Sequence, residues 1–217
     1  MEKGSVDYSL YLVTDRDLAG GRPLYQIVEA AIRGGVTAVQ YREKSTSIRK
    51  MIEEALELRN LCHAYRVPFI INDRVDLALA VDADGVHVGQ DDMPAPLARK
   101  LIGPEKILGI SVDHITQVGA AMAEGADYVG ASPIFATPTK PDAPQPLGIK
   151  GLQEIALVCT LPIVAIGGLN ISNAAAILRA GAAGIAVVSA IVAADDVERS
   201  ARDLKQVIEA ARRAQAS

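Results

Sequence analysis

Cations, carboxylates and hydroxyls collect at the ends of short apolar runs in this chain, and their spacing points to chemistry on a charged small molecule. In the run Ala38 to Lys44, the period-two alternation of a strand sets Gln40, Arg42 and Lys44 on one face and Tyr41 and Glu43 on the other. Charged groups at the end of an apolar strand are costly unless water or a ligand pairs them, and a multiply charged anion would supply that pairing. Asp73 and Asp92 close two consecutive runs, so in neighbouring parallel strands both carboxylates approach one cation. Magnesium suits such a pair, because it prefers oxygen ligands, keeps several waters and is usually held by one or two carboxylates plus substrate phosphates. Asp91 competes with Asp92 for this role, and either could instead cap the helix that follows Met93-Pro94.

Further along, Ala136-Thr137-Pro138-Thr139-Lys140-Pro141 forms a polar, proline-rich stretch whose hydroxyls and ammonium could hold an anion. Ile166-Gly167-Gly168 and Val187-Val188-Ser189 end two later runs, where glycine permits close backbone approach and helix N-terminal amides donate to a phosphate. Of the three histidines, His63 reads as a surface residue, His87 more as a hydrogen-bonded core residue than a catalyst, and His114 as a cap neighbour or rim residue. None is placed as an evident general base.

The elements that must position these groups are eight β-branched runs: Leu10 to Asp15, Ala38 to Lys44, Pro68 to Asp73, Gly85 to Gln90, Ile107 to Val112, Tyr128 to Phe135, Pro162 to Gly168 and Gly184 to Ala190. Segments with helical spacing separate them, and Val197 to Arg213 closes the chain as a helix. Gly34-Gly35, Gly125-Ala126 and Gly181-Ala182 read as helix C-caps feeding strands. The run starts lie about 25 residues apart, which leaves no room for an inserted domain, and the near-continuous apolar character suits strands covered on both faces. The expectation is an α/β fold, a single (β/α)8 TIM-barrel domain over residues 1–217, with its site at the C-terminal ends of the strands. An open doubly wound sheet is the rival; polar residues at nearly every strand end favour the closed barrel.

Composition narrows the function classes. The 22 Lys and Arg are outnumbered by 26 Asp and Glu, giving a net charge of -4, so nucleic acid is not expected as a partner. No apolar run approaches the roughly 20 residues needed to cross a bilayer, and no basic-then-apolar leader is seen, so a cytoplasmic protein without a membrane partner is expected. Cys62 and Cys159 lie far apart and read as buried thiols.

Five motifs in order carry a resemblance: Gln-Tyr-Arg-Glu-Lys at 40–44, Ile-Asn-Asp-Arg at 71–74, Gly-Val-His-Val-Gly-Gln-Asp-Asp at 85–92, Ser-Pro-Ile-Phe-Ala-Thr-Pro-Thr-Lys at 132–140 and Ala-Ile-Gly-Gly at 165–168. Together they make the chain, from about Leu10 to Ile191, closely similar to the thiamine-phosphate synthase family. That resemblance implies a transferase that joins a hydroxymethylpyrimidine diphosphate to a thiazole phosphate, or its carboxylated form, with magnesium as cofactor. By the same resemblance Gln40, Tyr41, Arg42, Glu43, Lys44 and Asn72 contact the pyrimidine diphosphate, Asp73 and Asp92 hold the metal, and Ser111 and Lys140 complete the diphosphate pocket. Thr137, Pro138, Thr139, Gly168, Val188 and Ser189 form the thiazole phosphate site. Arg42, Lys44, Ser111 and Lys140 carry the catalysis.

Two positions depart from the family pattern. Tyr41 stands where a leucine or similar residue is usual, and alternation turns it from the substrate side. Asp113 stands where a histidine is frequent and adds negative charge near the expected diphosphate pocket. The partners implied are small-molecule substrates, with self-association left open. The rival functions are a thiazole tautomerase-like relative, which does not need the metal and diphosphate residues, a Schiff-base aldolase using Lys44 or Lys140, and a non-catalytic sensor of thiamine phosphate.

Overall fold

The computed structural model describes residues 6–137 and 145–216. Eight parallel strands close in chain order, β1 (Leu10–Val13), β2 (Ala38–Tyr41), β3 (Phe69–Asn72), β4 (Gly85–Val88), β5 (Ile107–Val112), β6 (Tyr128–Ala131), β7 (Ile163–Ile166) and β8 (Gly184–Val187), with β8 pairing back onto β1. Helices α1 (Leu24–Arg33), α2 (Ile48–Ala64), α3 (Val75–Ala80), α4 (Ala95–Ile102), α5 (Val118–Ala123), α6 (Gly148–Val158), α7 (Ala174–Arg179), α8 (Ser189–Val192) and α9 (Val197–Ala216) fill the connections. This is the expected (β/α)8 barrel. No helix among the described residues is long and apolar enough to cross a membrane.

Local sequence explains how each helix hands the chain to a strand. Leu24, Ile27, Val28 and Ala31 recur at helical spacing on α1 and are buried, so one stripe faces the barrel. After α1, the Val36 amide donates to the Ala31 carbonyl at 3.1 Å and the Gly35 amide to the Ile32 carbonyl at 2.9 Å, with Gly35 at φ +106°. That is a Schellman cap, and a φ as large as that of Gly35 is one that glycine adopts without strain. The same bonds recur after α5 and α7, as Gly125-Ala126 and Gly181-Ala182 led us to expect.

Alternation along each strand divides the core in two. Leu10, Leu12, Val39, Tyr41, Val86, Val88, Ile185 and Val187 pack outward under the helices. Tyr11, Val13, Ala38, Ile70, Tyr128, Val164 and Ala186 pack inward with Tyr8. Small inward residues make room for the large ones: a Cβ at Gly109 would lie 2.3 Å from the Tyr128 ring and 2.4 Å from His87 Nδ1. Gly109→Ala is therefore expected to destabilise the protein by about 2 kcal/mol, an overpacking penalty, and to lower the melting temperature by roughly 4–8 °C in calorimetry.

Several strands are shorter than expected. Asp15, Arg42, Lys44, Asp73 and Gln90 lie just past the last ladder residues, in the loops at the mouth. Polar groups that must reach solvent or ligand leave the ladder, so the apolar part of each run marks the strand. The segment between β5 and β6 divides into a 3-10 turn at Ile115–Gln117 and α5. Helix α8 was not foreseen, and Ser189 and Ala190, expected in the last strand, belong to it. Cys62 is buried as expected, whereas Cys159 is only half-buried.

Candidate active site

A cavity of about 270 Å³ opens at the C-terminal ends of the strands. Gln40, Arg42, Lys44, Asn72, Asp73, Asp92, Ser111, Thr137, Gly168, Val188 and Ser189 all line it, so the fold brings together most of the residues singled out from sequence. Pro138, Thr139 and Lys140 lie outside the described residues.

Strand β2 supplies the cationic wall. The Thr14 amide donates to the Gln40 carbonyl at 2.9 Å, and the Arg42 amide donates to Thr14 Oγ1 at 3.0 Å, so the buried Thr14 clamps the backbone where β2 ends. The Arg42 guanidinium then meets Asp15 Oδ2 at 3.4 Å, and the Lys44 ammonium bonds the Asp73 carboxylate.

Tyr41 and Glu43 do not line the cavity. Alternation sends both to the helix side of the sheet. The Tyr41 hydroxyl donates to Glu54 on α2 at 2.8 Å, and Arg16 bridges Glu43 and Glu54 at 2.5 Å each. Glu43 also accepts the Ser45 amide at 2.7 Å and the Thr46 amide at 3.2 Å. This arrangement ties down the turn that carries Lys44 from behind. Burial pushes the Glu43 carboxyl up, but the Ser45 amide and the Arg16 guanidinium outweigh it and hold it down at about 2. A carboxyl depressed below its unfolded value near 4.3 contributes stability above about pH 4.5, and that contribution is lost as pH falls toward 2. Glu43→Gln is accordingly expected to cost on the order of 1 kcal/mol at pH 7, after allowance for screening at the half-exposed Arg16. Its stability should fall less steeply than that of the parent between pH 4.5 and 2, as urea denaturation at pH 3 and pH 7 will read.

Beside this wall, on the neighbouring β3 and β4, stand the two carboxylates. The Asp73 backbone adopts φ +61° and its amide donates to the His87 carbonyl at 2.7 Å, which brings the side chain over the mouth. Asp92 Oδ2 accepts the Gly89 amide at 2.7 Å. Burial, and then the Asp73 carboxylate beside it, hold the Asp92 carboxyl above its usual value. A carboxyl held up in this way beside a second carboxylate, with the Lys44 ammonium bonded to Asp73, makes a place fit for a cation. Among the described residues no group of three or more His, Cys, Asp or Glu forms a metal cage. A pair of carboxylates with room for water and phosphate oxygens matches magnesium better than zinc. Asp91 also lines the cavity.

At the far pole, the ends of β7 and β8 meet the loop after β6. The Ile134 amide donates to the Ile166 carbonyl at 2.9 Å and the Phe135 amide to the Gly167 carbonyl at 3.1 Å, extending the ladder past β6. At φ +107°, Gly167 would place a Cβ 2.7 Å from Pro133, so the turn tolerates only glycine. Gly168, Leu169, Val188 and Ser189 thereby form a backbone-rich pocket of the kind that holds phosphate in such barrels.

His87 is the hydrogen-bonded core residue that the sequence led us to expect. His87 faces the barrel interior and lines the cavity, with Nε2 at 2.8 Å from Ser111 Oγ and Nδ1 at 2.9 Å from the Tyr128 hydroxyl. Period-two alternation from Gly85 would have shown that it points inward. Gln90 reaches the Ser111 carbonyl at 2.6 Å. Asp113 does not line the cavity, and its amide donates to Gln117 Oε1 at 2.8 Å in the turn before α5.

A family model described as thiamine monophosphate synthase matches residues 10–191. The chain belongs to the thiamine monophosphate synthase family. It is 60% identical over 203 residues to the thiamine-phosphate synthase of Chloroflexus aurantiacus, covering 94% of each chain. It is 48% identical to that of Moorella thermoacetica, covering 94% of this chain and 98% of the relative. The solved structure of thiamine phosphate pyrophosphorylase from Pyrococcus furiosus superposes with a TM-score of 0.88 at 41% identity, covering 95% of this chain and 98% of that one. In this member of the family, the motifs at 40–44, 71–74, 85–92 and 165–168 lie on strand ends and the turns after them, and each contributes residues to one cavity.

Proposed function

We propose that this chain is a magnesium-assisted thiamine-phosphate synthase that joins 4-amino-2-methyl-5-hydroxymethylpyrimidine diphosphate to 4-methyl-5-(2-phosphooxyethyl)thiazole, or its carboxylated form, releasing diphosphate. The observation that carries this reading is one cavity with two anion-binding poles: cations and paired carboxylates at β2 to β4, and a glycine-rich phosphate pocket at β7 and β8. Two phosphorylated substrates fit such a site, and the family relation names the pair.

The carbon–oxygen bond to diphosphate breaks, its electron pair leaves on diphosphate, and the aminopyrimidine carries the positive charge. The thiazole nitrogen then donates its lone pair to the exocyclic carbon, forming the carbon–nitrogen bond. No proton need move, so the step asks for no general base. Arg42, Lys44 and Lys140 hold the departing diphosphate, Gln40, Asn72 and Ser111 orient the pyrimidine diphosphate, and Thr137, Pro138, Thr139, Gly168, Val188 and Ser189 hold the thiazole phosphate. Magnesium held by Asp73 and Asp92 would neutralise charge on the leaving group.

The test is product formation from the two substrates, with diphosphate release followed in parallel, in magnesium buffer and after chelation. Thiamine phosphate formed only with the metal is the expected result. Thiazole phosphate binding without turnover in either buffer would overturn it.

A further inference from the structure

Gln40 on β2 and Ser111 on β5 stand three strands apart in the barrel, and an unbroken line of hydrogen bonds joins them. Gln40 Nε2 donates to the Tyr11 hydroxyl at 3.2 Å, Tyr11 meets the Tyr128 hydroxyl at 3.0 Å, Tyr128 meets His87 Nδ1 at 2.9 Å, and His87 Nε2 meets Ser111 Oγ at 2.8 Å. Tyr11 and Tyr128 are each 1% exposed. The space for this line is built in, since a Cβ at Gly109 or Gly130 would come within 2.4 Å or 2.9 Å of the His87 ring.

A buried donor left unbonded loses more than a bond made contributes, so the favoured proton arrangement leaves none unbonded. An amide nitrogen only donates. Tyr11 therefore accepts from Gln40 and gives its own proton to Tyr128. Tyr128 in turn gives its proton to His87 Nδ1, and His87 carries its proton on Nε2 and donates it to Ser111. The Ser111 proton is then turned to the cavity, and the Gln40 carbonyl is the end of that amide left for a ligand. Burial holds both phenols well above the usual tyrosine range, so each keeps its proton.

We propose that Tyr11, Tyr128 and His87 are positioning residues, a directional relay across the barrel that couples the amide orientation of Gln40 to the hydroxyl polarity of Ser111. A substrate between the two ends meets an acceptor on one side and a donor on the other, already oriented. The inference rests on the synthase reading only for its kinetic consequence.

Long-range proton–nitrogen correlation spectra of the uniformly 15N-labelled free protein at neutral pH test the relay directly, with the His87 signals assigned by their loss in His87→Gln. The expected result is the Nε2-protonated tautomer of His87 in the parent protein. Tyr11→Phe, which deletes the donor to Tyr128, should give a mixture of tautomers and lower kcat about tenfold, with a smaller change in KM. Tyr128→Phe provides the same readout should Tyr11→Phe fold poorly. A His87 protonated on Nδ1, or on both nitrogens, in the parent overturns the relay, as does an unchanged tautomer in a folded phenylalanine variant. Because the spectra need no substrate, a protein lacking synthase activity would still report on the relay.

Discussion

Arg42→Ala is expected to lower kcat/KM for the pyrimidine diphosphate by about 3 kcal/mol, on the order of 10²-fold, with little change in melting temperature. The guanidinium is poised over the cavity, its backbone clamped by Thr14 and its head steered by Asp15 at 3.4 Å. Its loss removes a donor aimed at the charge that develops on the leaving group. Asp15 loses its cationic partner but keeps the Leu18 amide on Oδ1. Arg42→Lys should recover only part of the rate, because an ammonium supplies the charge without the planar fork. Steady-state kinetics on the three proteins decide this, and an Arg42→Ala enzyme with unchanged turnover removes Arg42 from the mechanism.

Asp73→Asn is expected to have a comparable or larger effect, several kcal/mol in the barrier or about 10²- to 10³-fold in rate, together with loss of the response to added magnesium. Asparagine is the informative replacement. Asp73 sits at φ +61°, a region that asparagine enters far more readily than alanine, so the backbone is preserved while the charge is removed. The substitution also releases the Lys44 ammonium from its carboxylate partner. Metal binding can be followed apart from turnover by electron paramagnetic resonance with manganese as the probe, where Asp73→Asn should bind weakly or not at all. Parent-like manganese affinity in the variant would remove Asp73 as a ligand.

These predictions divide between what was legible in the sequence and what was not. Eight apolar runs with helical segments between them determine the barrel by themselves, because a strand buried on both faces and a helix buried on one have distinct periods. The same periodicity separated Arg42 and Lys44 from Tyr41 and Glu43, and it placed Asp73 and Asp92 at the ends of adjacent strands. Ordered motifs then carried the family likeness. All of this is local, or at most a matter of strand order.

Tertiary structure alone decided which side chains meet across the barrel. Tyr11, Gln40, His87, Ser111 and Tyr128 come from five strands, and their bonds depend on the tilt and stagger with which the strands close, which period-two alternation does not encode. Arg16 finding both Glu43 and Glu54, and Asp113 standing off the cavity, follow from loop paths past the last ladder bond. Sequence determines the face on which each side chain lies through the handedness and pleat of the local backbone; its partner across the barrel is chosen by closure, where packing all eight strands at once leaves one register.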